Sequence, residues 1–113
     1  MDFPKVLISC PTAKVKNYCF KEWLDNALSF TYPNYQIILF DNTDDNGENT
    51  KYYNDFYQEN YGYDKKFLAV NSLVLNSVKR AMNITEKLAM SHNDCRDATL
   101  ENNFDYLFYI LNV

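Results

Sequence analysis

The sequence predicts an α/β fold: a Rossmann-like three-layer sandwich around a four-stranded, mainly parallel sheet in the order 3-2-1-4. Two observations predict it. Short, continuous apolar runs at residues 5–10, 35–41, 66–70 and 104–113 alternate with segments of helical periodicity. The runs carry apolar residues at consecutive positions rather than only at every second one, as strands do when helices cover both faces of a parallel sheet. Right-handed crossovers between such strands then give the order.

Each element has its own signal. "KVLISC" at residues 5–10 is closed by Pro11 and reads as a buried strand. A polar loop, "PTAKVKN", follows. Phe20, Trp23, Leu24, Ala27 and Leu28 stand at i, i+3, i+4, i+7 and i+8, the spacing of an amphipathic helix. Tyr32 before Pro33 ends it, because a residue preceding proline is pushed out of helical geometry. Residues 35–41 form the second strand, and the loop "DNTDDNG" follows. Tyr52, Tyr53, Phe56 and Tyr57 make the stripe of a second helix, and Gly62 turns the chain into a third strand near 66–70. The stretch 72–103 reads as mostly helical. "FDYLFYILNV" reads as a fourth strand continuing to Val113.

With 113 residues, 47% of them apolar, the chain is expected to form one Rossmann-like domain over 1–113. That length buries roughly 60–70% of the unfolded surface. A net charge of −4 argues against a general nucleic-acid binder, which shows a basic footprint. Three cysteines, Cys10, Cys19 and Cys95, form no CxxC pair. A disulfide framework or zinc site is not expected, and a reducing cytoplasm is. No apolar stretch approaches the ~20 residues of a membrane span, and the first ten residues hold too short an apolar run for a signal peptide. In a cytoplasmic protein the "NIT" sequon at 83–85 carries no meaning.

The parallel topology points to a site. Such sheets bind ligands beyond the carboxyl ends of their strands. The first strand ends at Cys10, Pro11 and Thr12, and the second at Asp41 and Asn42, so both open on one crevice. Strand 4, on the other side of strand 1, is expected to end there as well. Asp41 either accepts hydrogen bonds from a ribose or base N–H, or caps the turn that follows it. Thr12 offers a hydroxyl to a base or ribose, or caps the loop. Lys14 and Lys16 face phosphates or water. No glycine lies in "CPTAKVKN", which excludes the dinucleotide fingerprint and the P-loop, and with them a classical NAD enzyme.

In the long helix, Ile84, Leu88, Cys95 and Thr99 share one side at about 100° per residue, and Met82, Ala89 and Leu100 widen it. Lys87, Asp94, Asp97 and Glu101 fall opposite. Arg96 projects into the widened apolar arc, where a guanidinium needs an acid or a phosphate as partner, or snorkels its head to the edge. Asn93, three residues earlier, reaches the same place. His92 reads as structural, Cys10 as a small buried residue, and the tyrosines at 52, 53, 57, 61 and 63 as core and rim.

"VLISCPT", "TYPNYQIILFDNT", "SHNDCR" and "FDYLFYI", in this order, resemble the N-terminal half of a GT-A-fold, family-2-type nucleotide-sugar glycosyltransferase, and the similarity covers nearly the whole chain. The resemblance implies a domain that binds the nucleotide of a UDP- or GDP-linked sugar. It implies Pro11 and Thr12 near the base, Asp41 and Asn42 at base or ribose, and Asn93 with Arg96 near the nucleotide. It also implies Mn²⁺ or Mg²⁺ bound by an Asp-x-Asp motif after the fourth strand, but that strand here reads Tyr109, Ile110, Leu111, Asn112, Val113 and lacks the acid pair. The expectation is therefore a truncated or split enzyme without metal ligands, acceptor half or assigned catalytic residue. The alternative is a non-enzymatic Rossmann-like interaction module with no retained ligand. The apolar fourth strand, placed at a sheet edge, adds self-association or docking to a C-terminal half.

Overall fold

The structure, a computed structural model, describes residues 3–62, 64, 66–72 and 84–109, without the side chains of residues 84–92 and 109. The expectations placed on residues 63, 73–83 and 110–113 lie outside the described residues. So do those on the side chains of Ile84, Lys87, Leu88, Ala89 and His92.

The elements are β1 (Val6–Thr12), a 3₁₀ helix (Lys14–Cys19), α1 (Phe20–Leu28), β2 (Tyr35–Asp41), α2 (Glu48–Tyr61), β3 (Phe67–Asn71), α3 (Ile84–Glu101) and β4 (Tyr106–Tyr109). The four strands form one sheet in the order β3-β2-β1-β4. Every neighbouring pair is parallel. The predicted Rossmann-like arrangement is therefore what the chain adopts.

Several boundaries differ from the sequence reading: α1 ends at Leu28, ahead of Tyr32 and Pro33, and β4 begins at Tyr106 rather than at residue 104. The segment after β1 forms a 3₁₀ helix rather than an open loop. The first strand extends past the apolar run 5–10, through Pro11 to the Thr12 end. Val6 donates to Asn34 O and Thr12 O accepts from Asn42 N–H, so the even-numbered residues of β1 bond β2. The missing N–H of Pro11 faces the opposite side, where described pairing with β4 ends at Ser9 opposite Tyr109. Proline therefore removes no bond to β2.

Register sorts the side chains. Ile8 is level with Ile37, and Ile37 with Phe67; Cys10 is level with Leu39, and Leu39 with Ala69. These six meet Phe20, Trp23, Leu24 and Ala27 of α1 and Tyr53 and Tyr57 of α2 in the main core. Full burial of such a side chain contributes about 1.5–3 kcal/mol. The Phe20 ring stands 4.3 Å from Tyr53 and 5.5 Å from Phe56. Leu7 and Ser9 point to the other face. There the Ser9 hydroxyl lies 3.0 Å from Cys95 Sγ of α3 and donates to Ile38 O at 2.6 Å. Helices therefore cover both faces, α1 and α2 on one and α3 on the other.

Candidate functional site

Pairing sets Thr12 beside Asp41 and Asp41 beside Asn71 at the carboxyl ends of β1, β2 and β3. Pro11, Thr12, Asp41 and Asn42 thus come together as expected, joined by the Asn42 N–H bond to Thr12 O at 2.7 Å. Thr12 and Asp41 are buried, Asp41 completely.

The Asp41 carboxylate faces inward. Its Oδ1 accepts from Thr43 N–H at 3.0 Å and from the Thr43 hydroxyl at 2.7 Å. Its Oδ2 accepts from Asn49 Nδ2 at 3.2 Å and from the Thr50 hydroxyl at 2.8 Å. An ionised carboxylate has about four acceptor positions, so these contacts saturate it. Of the two roles open in the sequence, the structure displays the turn cap. Asp41 ties the end of β2 to its own loop and to the first turn of α2.

The network continues outward. Asn17 donates to Asn49 Oδ1 at 2.7 Å, and the Tyr53 hydroxyl donates to Asn17 Oδ1. Lys14 N–H bonds the Thr43 hydroxyl at 2.8 Å, and Asn71 Nδ2 bonds Thr43 O at 3.0 Å. Burial pushes the Tyr53 phenol up to about 12. The loop after β2 turns sharply, with Asn46 and Gly47 at φ +59° and +84°. Asp45 Oδ2 then accepts from Asn49 N–H at 2.9 Å and so satisfies one open donor of the first turn of α2, whose N-cap is Gly47. Beside this network lies a pocket of 290 Å³ lined by Lys14, Asn17, Asp45, Glu48, Asn49 and Tyr52. Sequence reasoning missed Thr43, Asn49, Thr50, Asn17 and Asn71. Only Thr43 carried a signal, because Asp-x-Thr is the pattern of an Asx turn.

Asn93 and Arg96 do not join these residues. Both are exposed, and the Arg96 guanidinium lies 3.6 Å from Asp97, with 65% of its side chain accessible. The inward projection of Arg96 is corrected by the helix rotation. Cys95 is fully buried and Thr99 half-buried, whereas Leu100 is 69% exposed, so the apolar arc does not widen toward Leu100. Arg96, about 100° round from Cys95, stands outside the arc.

Height along the sheet differs as well. Cys95 is level with Ser9, and Lys5 Nζ reaches Asn102 O at the opposite end, so α3 runs antiparallel to the strands. Thr12 lies about 10 Å beyond Ser9. At about 1.5 Å per residue, the part of α3 level with Thr12 is near residue 89.

Among the described residues no group of three or more His, Cys, Asp or Glu is placed to hold a metal ion. The position expected for the acid pair, beyond Tyr109, lies outside those residues. No described helix is long and apolar enough to cross a membrane. Compared with models of protein families, with curated proteins and with solved structures, the chain matches none of them.

Proposed function

We propose that this domain binds the nucleotide part of a UDP- or GDP-linked sugar at the carboxyl ends of β1 and β2, as the donor-binding half of a family-2-type GT-A glycosyltransferase. The supporting observation is the register that sets Pro11 and Thr12 against Asp41 and Asn42 at the open end of an all-parallel sheet, where α/β folds receive their ligands. In this reading Asp41 is a positioning residue. It holds the Thr43 loop and the start of α2, while Thr12 and Asn42 present the ends of their strands to the base and ribose. The activity is donor binding in the cytoplasm.

The saturation of Asp41 favours a second reading, an interaction module with no ligand at this end.

Thermal unfolding with UDP, GDP, ADP and UDP-glucose, each with and without Mn²⁺, separates the two. A ligand at about 100 times its Kd adds ~2.7 kcal/mol, a rise of roughly ten degrees in a domain of this size. Donor binding predicts such a rise for a single base, reduced in Asn42→Ala. No rise with any nucleotide selects the module.

A further inference from the structure

The β4 margin differs from the rest of the sheet. Val6 pairs with Tyr106 and Ile8 with Phe108, so both rings project onto the face that α1 and α2 cover elsewhere. They are 61% and 54% exposed. Phe30 packs on Phe108 at 6.0 Å and is 38% exposed. An apolar groove of 200 Å³ opens beside Phe108, between Phe30, Tyr32, Tyr35, Val6 and Ile8. An apolar cavity of about 150 Å³ holds a benzene ring, so this groove accepts one aromatic side chain.

The backbone of β4 supplies the second part. Tyr106 N–H bonds Lys5 O, so Tyr106 and Phe108 direct their main-chain groups toward β1. Those of Leu107 point to the open edge, where no described strand pairs with them. The segment Tyr106–Tyr109 contains no charge and no proline, the usual guards of an edge. The opposite margin is better protected, because Phe67 and Ala69 of β3 are buried under α2.

We propose that this edge binds a second copy of the chain, β4 against β4, antiparallel about a twofold axis through Leu107. Parity selects that register. A twofold perpendicular to the sheet keeps each face on its own side, so paired residues share a face. Hydrogen-bonded pairs form only between residues whose main chain points outward. Centring on Leu107 satisfies both conditions. Leu107 exchanges N–H···O bonds with its twin, and Tyr106 of each copy lies opposite Phe108 of the other, beside the groove. The result is one continuous eight-stranded sheet. The three exposed rings alone remove about 300 Å² per copy, taking ~200 Å² for each. With the strand backbones and groove walls, the pair reaches about 1,000 Å², the lower bound for a specific interface. The dimer is therefore weak and concentration-dependent.

The test is sedimentation equilibrium on the full chain. The wild type should pass from monomer to dimer across the micromolar range. Tyr106→Lys and Phe108→Glu should each be monomeric, since twofold symmetry then brings two charges without counter-charges into an apolar seam. Mixed one to one, the two variants should pair, because Lys meets Glu at one position while Tyr meets Phe at the other. A wild type that stays monomeric at high concentration overturns the proposal, as does a dimer indifferent to Tyr106→Lys. Failure of the mixture to pair overturns the register. Hydrogen exchange on the wild type serves if a variant does not fold: the Leu107 amide should slow as concentration rises, and an unchanged rate refutes the pairing.

Discussion

The two ends of β1's neighbourhood are built on opposite principles. At the carboxyl end, toward β2, polar groups are buried and answered: Asp41 is wholly inaccessible and takes hydrogen bonds from three residues. At the β4 margin, apolar groups are left in water, with Tyr106 and Phe108 more than half exposed. Burying a polar group costs free energy unless it is bonded, so the first region demands internal closure. Exposing a contiguous apolar patch costs free energy unless something covers it, so the second invites a partner. The difference teaches that a polar cluster at a strand end can serve as scaffold, whereas exposed rings at a sheet margin leave apolar surface for a partner to cover.

The strongest way to break this contrast is Asp41→Ala. It leaves the Thr43, Asn49 and Thr50 donors without their acceptor inside the fold. The expected loss is about 3–5 kcal/mol by urea denaturation, a large part of the stability of a domain this size. A loss below about 1 kcal/mol would mean that the carboxylate is no clamp and is available to a ligand.

Tyr53→Phe probes the same network through pH. Burial raises the Tyr53 phenol from 10.0 to about 12. The unfolded chain therefore gives up this proton first as pH rises. The stability it contributes is complete below pH 10 and is lost as pH climbs toward 12. The variant should lose about 1–2 kcal/mol at neutral pH and show a shallower alkaline decline. An unchanged slope between pH 10 and pH 12 would place the alkaline sensitivity elsewhere, for instance at Tyr61, also raised by burial to about 12.

Tyr106→Lys sharpens the other side of the contrast. Its effect on monomer stability should stay within about 0.5 kcal/mol, as for other exposed positions, while self-association disappears. A large loss of monomer stability would mean that the ring packs within its own chain. The smallest effect is expected from Arg96→Ala. Its ion pair with Asp97 is exposed, and such pairs contribute 0–1 kcal/mol. Stability and any nucleotide-induced shift should both be preserved. A lost shift would bring the guanidinium back into the donor site.

Much of this molecule was legible in its sequence. Helical spacing placed α1 from Phe20 to Leu28, and continuous apolar runs located the four strands. Alternation of the two, with right-handed crossovers, gave the order 3-2-1-4 and hence the meeting of Thr12 with Asp41. These features follow from local periodicity and chain chirality, which a sequence carries residue by residue. Other features required the folded chain. Asp41 is saturated by side chains eight and nine residues further on, and Asn17 joins them from a different loop. Arg96 lies outside because the rotation of α3 is set by Cys95 against Ser9, 86 residues apart. The bare rings of β4 follow from which strands α1 and α2 cover. Each of these depends on register and helix rotation fixed by distant contacts, so tertiary packing decided them.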